Sequence, residues 1–124
     1  MFSARGPFFP YKSPRPKASA GNLAIVERIR ASLGAIIWRR HARREAEGEN
    51  ISESMLEDAL RREFVLVEHY PQDPYGESAL VLVFVEGRPV HVVLSPRESL
   101  CYLVTVYVPD PVRWNPTFTR RKGR

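Results

Sequence analysis

The chain has 124 residues, 44% of them hydrophobic and 27% charged, with a formal net charge of +5. That length holds one domain with a core and is short for two, and the basic balance favours an acidic partner, nucleic acid first. A single cysteine, Cys101, rules out an internal disulfide, and no apolar run approaches the ~20 residues a membrane-spanning helix needs, so the expectation is a cytoplasmic protein with no membrane partner.

Residues 1–21 form a compositional zone of their own. Pro7, Pro10, Pro14 and Pro16 alternate with Arg5, Lys12, Arg15 and Lys17, and no acid precedes Glu27. Proline at this density forbids helix and sheet, so a basic, extended, flexible arm is predicted. A first helix is then expected over Leu23–Leu33, with Asn22 as N-cap, an apolar stripe of Leu23, Val26, Ile29 and Leu33, and Gly34 as its stop. Ile36, Ile37 and Trp38 read as a short apolar link.

The next helix carries Arg39, Arg40, His41, Arg43 and Arg44, followed by Glu45, Glu47 and Glu49. This order opposes the helix dipole, which favours anions at the N-terminus and cations at the C-terminus. Either the basic end serves a partner or the helix presents a solvated charged face. The third helix starts on Ser52, with Glu53 in its first turn and Ile51 stapled to Leu56; Met55, Leu56, Ala59 and Leu60 form its buried face, and Arg61 and Arg62 suit its end.

Four strands follow, at about 64–69, 78–85, 89–95 and 100–108. The second is apolar on both faces from Ala79 to Val85 and belongs inside the sheet. Glu86-Gly87-Arg88 and Pro96-Arg97-Glu98 are hairpin turns, and such short connections make the sheet antiparallel. With Gly87-Arg88 as a two-residue turn, His91 faces the same way as Phe84. Strict alternation puts Cys101, Leu103, Thr105 and Tyr107 on one face of the last strand, and Thr105 and Tyr107 are expected on the His91 face. Residues 117–124 read as a basic C-terminal tail. The predicted fold is therefore a single α+β domain over 22–116, with two or three N-terminal helices packed on one face of a four-stranded antiparallel sheet.

His41-Ala42, Ile51-Ser52, Tyr70-Pro71 with Tyr75-Gly76, the run from Gly87 to Val93, and Thr105-Val106-Tyr107 with Pro109-Asp110 and Trp114 occur here in a particular order and spacing. In that order they resemble the bacterial domain-of-unknown-function family 4258, across His41 to about Lys122. That family is similar to small ribonuclease toxins of the RelE, BrnT and MqsR kind. The resemblance implies a RelE-like fold, RNA as partner, and a zinc-finger antitoxin of the MqsA or YgiT kind. It also implies a toxin-like RNA-binding protein or a metal-independent ribonuclease of the mRNA-interferase type. One departure stands out: the family's helix places arginines where this chain has Glu45 and Glu49.

Cleavage of RNA by its own 2′-hydroxyl needs a base, an acid and cations around the phosphorane, and no metal. His41 and His91, the histidines in the family pattern, are the candidate proton carriers, with Tyr107 as an oxyanion donor or a ring for a base. Arg40, Arg44, Arg88 and Arg113 are the candidate phosphate clamps. Each has a structural reading beside the functional one: His91 as a sheet histidine bonded to a backbone carbonyl, His41 as a helix-packing group, Tyr107 as a core aromatic. The three histidines and Cys101 show no metal-ligand spacing, and no cofactor signature is present. The alternative function is a non-catalytic interaction module of the same fold, binding RNA or a protein.

Overall fold

A computed structural model describes residues 20–123, with side chains from residue 22; apart from its last two residues, which open the first helix, the predicted basic arm lies outside the described residues. The elements run α1 (Ala20–Ser32), β1 (Ile36–Trp38), α2 (Arg40–Gly48), α3 (Glu53–Arg62), β2 (Val65–Tyr70), β3 (Ser78–Val85), β4 (Arg88–Pro96) and β5 (Cys101–Tyr107). The strands form one sheet in the order β1-β5-β4-β3-β2. The α+β class holds, but the sheet has five strands and is mixed rather than four-stranded and antiparallel. The added strand is the Ile36–Trp38 link, which pairs parallel to β5 with Ile37 opposite Tyr102. Three residues are too few to show a period, and their partner lies more than sixty positions away. Arg39 extends the ladder, donating its backbone N–H to the Leu103 carbonyl at 3.0 Å.

Local chemistry explains most boundaries. The Ser52 hydroxyl accepts from the Met55 backbone N–H at 3.3 Å and caps α3. Asn22 lies inside α1 and does not cap it. Ile25, Ile29 and Leu33 make the buried side of α1, while Leu23 is exposed, and on α3 Met55 is exposed beside the buried Leu56. β3 is interior, paired on both sides, as its double-faced apolar run requires. The β3–β4 turn is Glu86-Gly87, both with positive φ, so Val85 pairs with Arg88. A turn one residue earlier moves every pairing by two, which leaves His91 on the Phe84 face as expected.

The helices cover one face of the sheet. Ile25, Ile29, Leu56 and Leu60 pack there on Val81, Val83, Val92, Leu94 and Leu103. The opposite face carries a smaller cluster of Val67, Tyr70, Leu80, Leu82 and Val93 under Trp114 and Phe118. Those last two residues belong to the segment after β5. Residues 117–122, read as part of a tail, thus fold back on the sheet: Trp114 and Arg121 pair antiparallel, and the Lys122 N–H donates to the Arg113 carbonyl at 2.9 Å. Alternation along β5 also breaks. Val93 pairs with Thr105 but Leu94 pairs with Leu103, so Val104 is the extra residue of a bulge. Cys101 and Leu103 consequently face the helices, whereas Thr105 and Tyr107 share the other face with Val93 and His91.

Candidate functional site

β4 and β5 place His91 directly opposite Tyr107. The His91 ring has no exposed surface. Its Nε2 lies 2.8 Å from the Phe118 carbonyl oxygen and its Nδ1 lies 3.1 Å from the Tyr107 hydroxyl. A carbonyl only accepts, so Nε2 carries the hydrogen, and Nδ1 accepts from the Tyr107 O–H. Trp114 stands edge-on to the imidazole with ring centroids 4.5 Å apart. Burial pushes the His91 pKa down to about 4, against the opposing pull of the Phe118 carbonyl, so the ring is neutral at pH 7. Burial raises the Tyr107 pKa, keeping the phenol protonated. The imidazole is buried with both ring nitrogens occupied, while Tyr107 is only partly buried.

A second polar group lies on the same face. Glu68 is buried, accepts from the Tyr70 hydroxyl, and takes two bonds from Arg121, Nε to Oε2 at 2.6 Å and Nη2 to Oε1 at 3.0 Å. Burial alone would lower the Arg121 pKa; the Glu68 carboxylate outweighs it and raises it. Thr105, in the cross-strand row that ends on Glu68, holds the one buried side-chain polar atom without a hydrogen-bond partner among the described residues.

His41 sits on the other side of the sheet, exposed on α2. Its Nε2 is 3.1 Å from Glu45 Oε2, while Glu45 Oε1 accepts the Val106 N–H at 3.0 Å. Glu45 thereby satisfies β5 just past the point where β1 ends. Burial raises the Glu45 pKa, opposed by that backbone bond and by His41. His41 is thus not brought into the His91–Tyr107 pair. The four arginines separate as well. Arg40 and Arg44 are exposed on the outer ridge of α2, with no carboxylate partner among the described residues. Arg88 is turned back on α2, donating to the Glu49 carbonyl at 3.0 Å beside its carboxylate at 3.5 Å. Arg113 is exposed in the turn after β5.

Sequence reasoning missed one cluster. The Arg39 and Arg97 guanidiniums lie 4.3 and 5.2 Å from the ring centroid of Tyr102. Arg39 was visible in its basic run, but only the β1–β5 register brings it to Tyr102. Among the described residues no group of three or more His, Cys, Asp or Glu side chains could hold a metal ion. Cys101 is buried and burial raises its thiol pKa, which leaves it an inert core residue. No described helix is long and apolar enough to cross a membrane.

The family model described as "Domain of unknown function (DUF4258)" matches residues 38–108. The match takes in His41, His91 and Tyr107 and stops short of Arg113, Trp114 and the folded segment that seals His91. No curated protein and no solved structure matches the chain.

Proposed function

From the premise that this chain belongs to the DUF4258 family, we propose that it is a toxin-like RNA-binding protein whose principal contact is the basic ridge of α2, and that it acts by binding rather than by cleavage at His91. The observation that carries this is the state of Arg40 and Arg44: both exposed and without a carboxylate partner among the described residues, with Arg40 at the helix end that least favours cations. α2 starts with no side-chain cap and no acid in its first turn, so its sequence forgoes two ordinary sources of helix stability where it gathers positive charge. The sealed, neutral His91 supports the non-catalytic form. A zinc-finger antitoxin of the MqsA or YgiT kind is the protein partner, and the cytoplasm the compartment, that go with this reading.

A titration of labelled RNA at several salt concentrations tests it. Arg40→Ala with Arg44→Ala should weaken binding and reduce the salt slope by about 1.5, as loss of two phosphate contacts requires. No binding at about 50 mM salt, or an unchanged slope, sinks the proposal.

The His41–Glu45 pair favours a second reading, a metal-independent ribonuclease of the mRNA-interferase type. Glu45 would take the 2′-hydroxyl proton and His41 return one to the leaving oxygen. His91 and Tyr107, on the opposite side of the sheet, take no part in such a site. Cleavage by the wild type that is lost in His41→Ala and in Glu45→Gln would establish this reading; intact RNA with the wild type would remove it.

A further inference from the structure

At the β1 edge of the sheet one row, on the same face as His91, runs through Ile37, Tyr102 and Ser95. Trp114 and Phe118 cover the His91 end, but Tyr102 is only half-buried and Ile37 is 44% exposed. Two guanidiniums lie against the Tyr102 ring, and neither has an acidic partner among the described residues. Arg97 is fixed by neutral acceptors: Ser95 Oγ at 2.5 Å, the Pro96 carbonyl at 3.1 Å and the Tyr75 carbonyl at 3.2 Å. Gly76 makes room for it, since a Cβ there would stand 2.5 Å from Arg97 Nη2. Arg39 is held at its backbone by Leu103. The sheet edge therefore presents two positioned positive charges, an aromatic ring and an exposed aliphatic side chain side by side.

Resting on the RNA-binding reading above, we propose that Arg39, Tyr102 and Arg97, with Ile37, form a subsite for one nucleotide of a single strand. The guanidiniums hold its phosphate and the base packs on the exposed part of the Tyr102 ring beside Ile37. Arginine matches a phosphate with paired donors, and a guanidinium already fixed in place loses less freedom on binding. A flat ring beside cations is how proteins take unstacked bases, which a duplex does not offer. An acidic peptide would satisfy the charges but has no planar group for the ring.

The test uses the whole chain, a short oligouridylate and an RNA duplex of the same length. Tyr102→Leu should weaken the oligouridylate about tenfold, the scale of one lost base stack, with duplex affinity and salt slope unchanged. A thiouridine-substituted oligouridylate should crosslink to the Cys101–Leu103 stretch of the wild type, a readout that does not depend on the variant folding. Unchanged oligouridylate binding by folded Tyr102→Leu, with crosslinks elsewhere, overturns the subsite; if Arg40→Ala with Arg44→Ala still weakens binding, the RNA reading survives that failure. Absence of any RNA binding by the wild type overturns both. Competition by oligoglutamate that persists undiminished in Tyr102→Leu would mark an acidic-peptide surface and also overturn the subsite.

Discussion

Tyr107 donates its phenolic hydrogen to Nδ1 of His91 across the β4–β5 ladder, at 3.1 Å and in direct register. The bond fixes the imidazole as its Nε2–H tautomer, and the Phe118 carbonyl completes the shell. Two side chains whose types suggest proton transfer are thus held in their uncharged forms.

Acid should find this point first. The folded pKa of His91 is about 4, below the ordinary value of about 6.5 for an unfolded histidine. The unfolded chain then binds the extra proton more readily, so the stability tied to neutral His91 is fully present above pH ~6.5, falls as pH drops towards 4, and levels off below it. The full span is on the order of 3 kcal/mol. Urea unfolding at stepped pH should show this loss, and His91→Gln should flatten it. A resonance assigned to the His91 imidazole that titrates near 6.5 in the folded protein would contradict the burial argument.

The C-terminal segment should depend on one ion pair. Arg121→Ala leaves the Glu68 carboxylate buried with Tyr70 as its remaining side-chain donor among the described residues. Removing one partner of a buried pair costs about 3–5 kcal/mol, and because the Arg121 side chain is 39% exposed the lower part of that range or somewhat less is expected, about 2–3 kcal/mol. Trp114 would lose its cover, so its fluorescence should shift to the red. An unshifted spectrum with unchanged stability would mean that the segment is held by its apolar contacts alone.

These two sites show where sequence reading succeeds and where it stops. Ser52 with Glu53, the doubly apolar β3, and the shared face of His91 and Phe84 are local patterns, and each was legible. The sheet edge was not: β1 is three residues long, and its pairing with Cys101–Leu103 is a tertiary fact. The Val104 bulge defeated parity along β5, because one extra residue moves Cys101 and Leu103 to the helix face. Arg121 read as tail charge because its partner, Glu68, lies fifty-three positions earlier. The candidate residues were individually visible, but their grouping was not; His41 and His91 lie on opposite sides of the sheet.

Glu45 reaches from α2 to the β5 backbone, and this structural role predicts a specific response. Glu45→Ala strips the buried Val106 N–H of its acceptor, a loss of about 1–3 kcal/mol. Glu45→Gln keeps an oxygen in place and should recover most of it, although the His41 ion pair is lost. Equal destabilisation by both variants would mean that the charge, and not the backbone bond, is what matters.

Gly76 offers a way to move Arg97 without touching it. The backbone there has φ +115, which side-chain-bearing residues rarely adopt, and a Cβ would meet the Arg97 guanidinium. The guanidinium is the far end of a flexible side chain and can yield, so the backbone conformation carries most of the cost. Gly76→Ala should lower stability by on the order of 1–2 kcal/mol and displace Arg97 from Tyr102. If Arg97 positions a phosphate, oligouridylate affinity should fall in the folded variant while the contribution of Arg40 and Arg44 to the salt slope persists. A drop in stability with affinity intact would separate the turn from the subsite and leave Arg97 as a brace between β4 and the loop before β3.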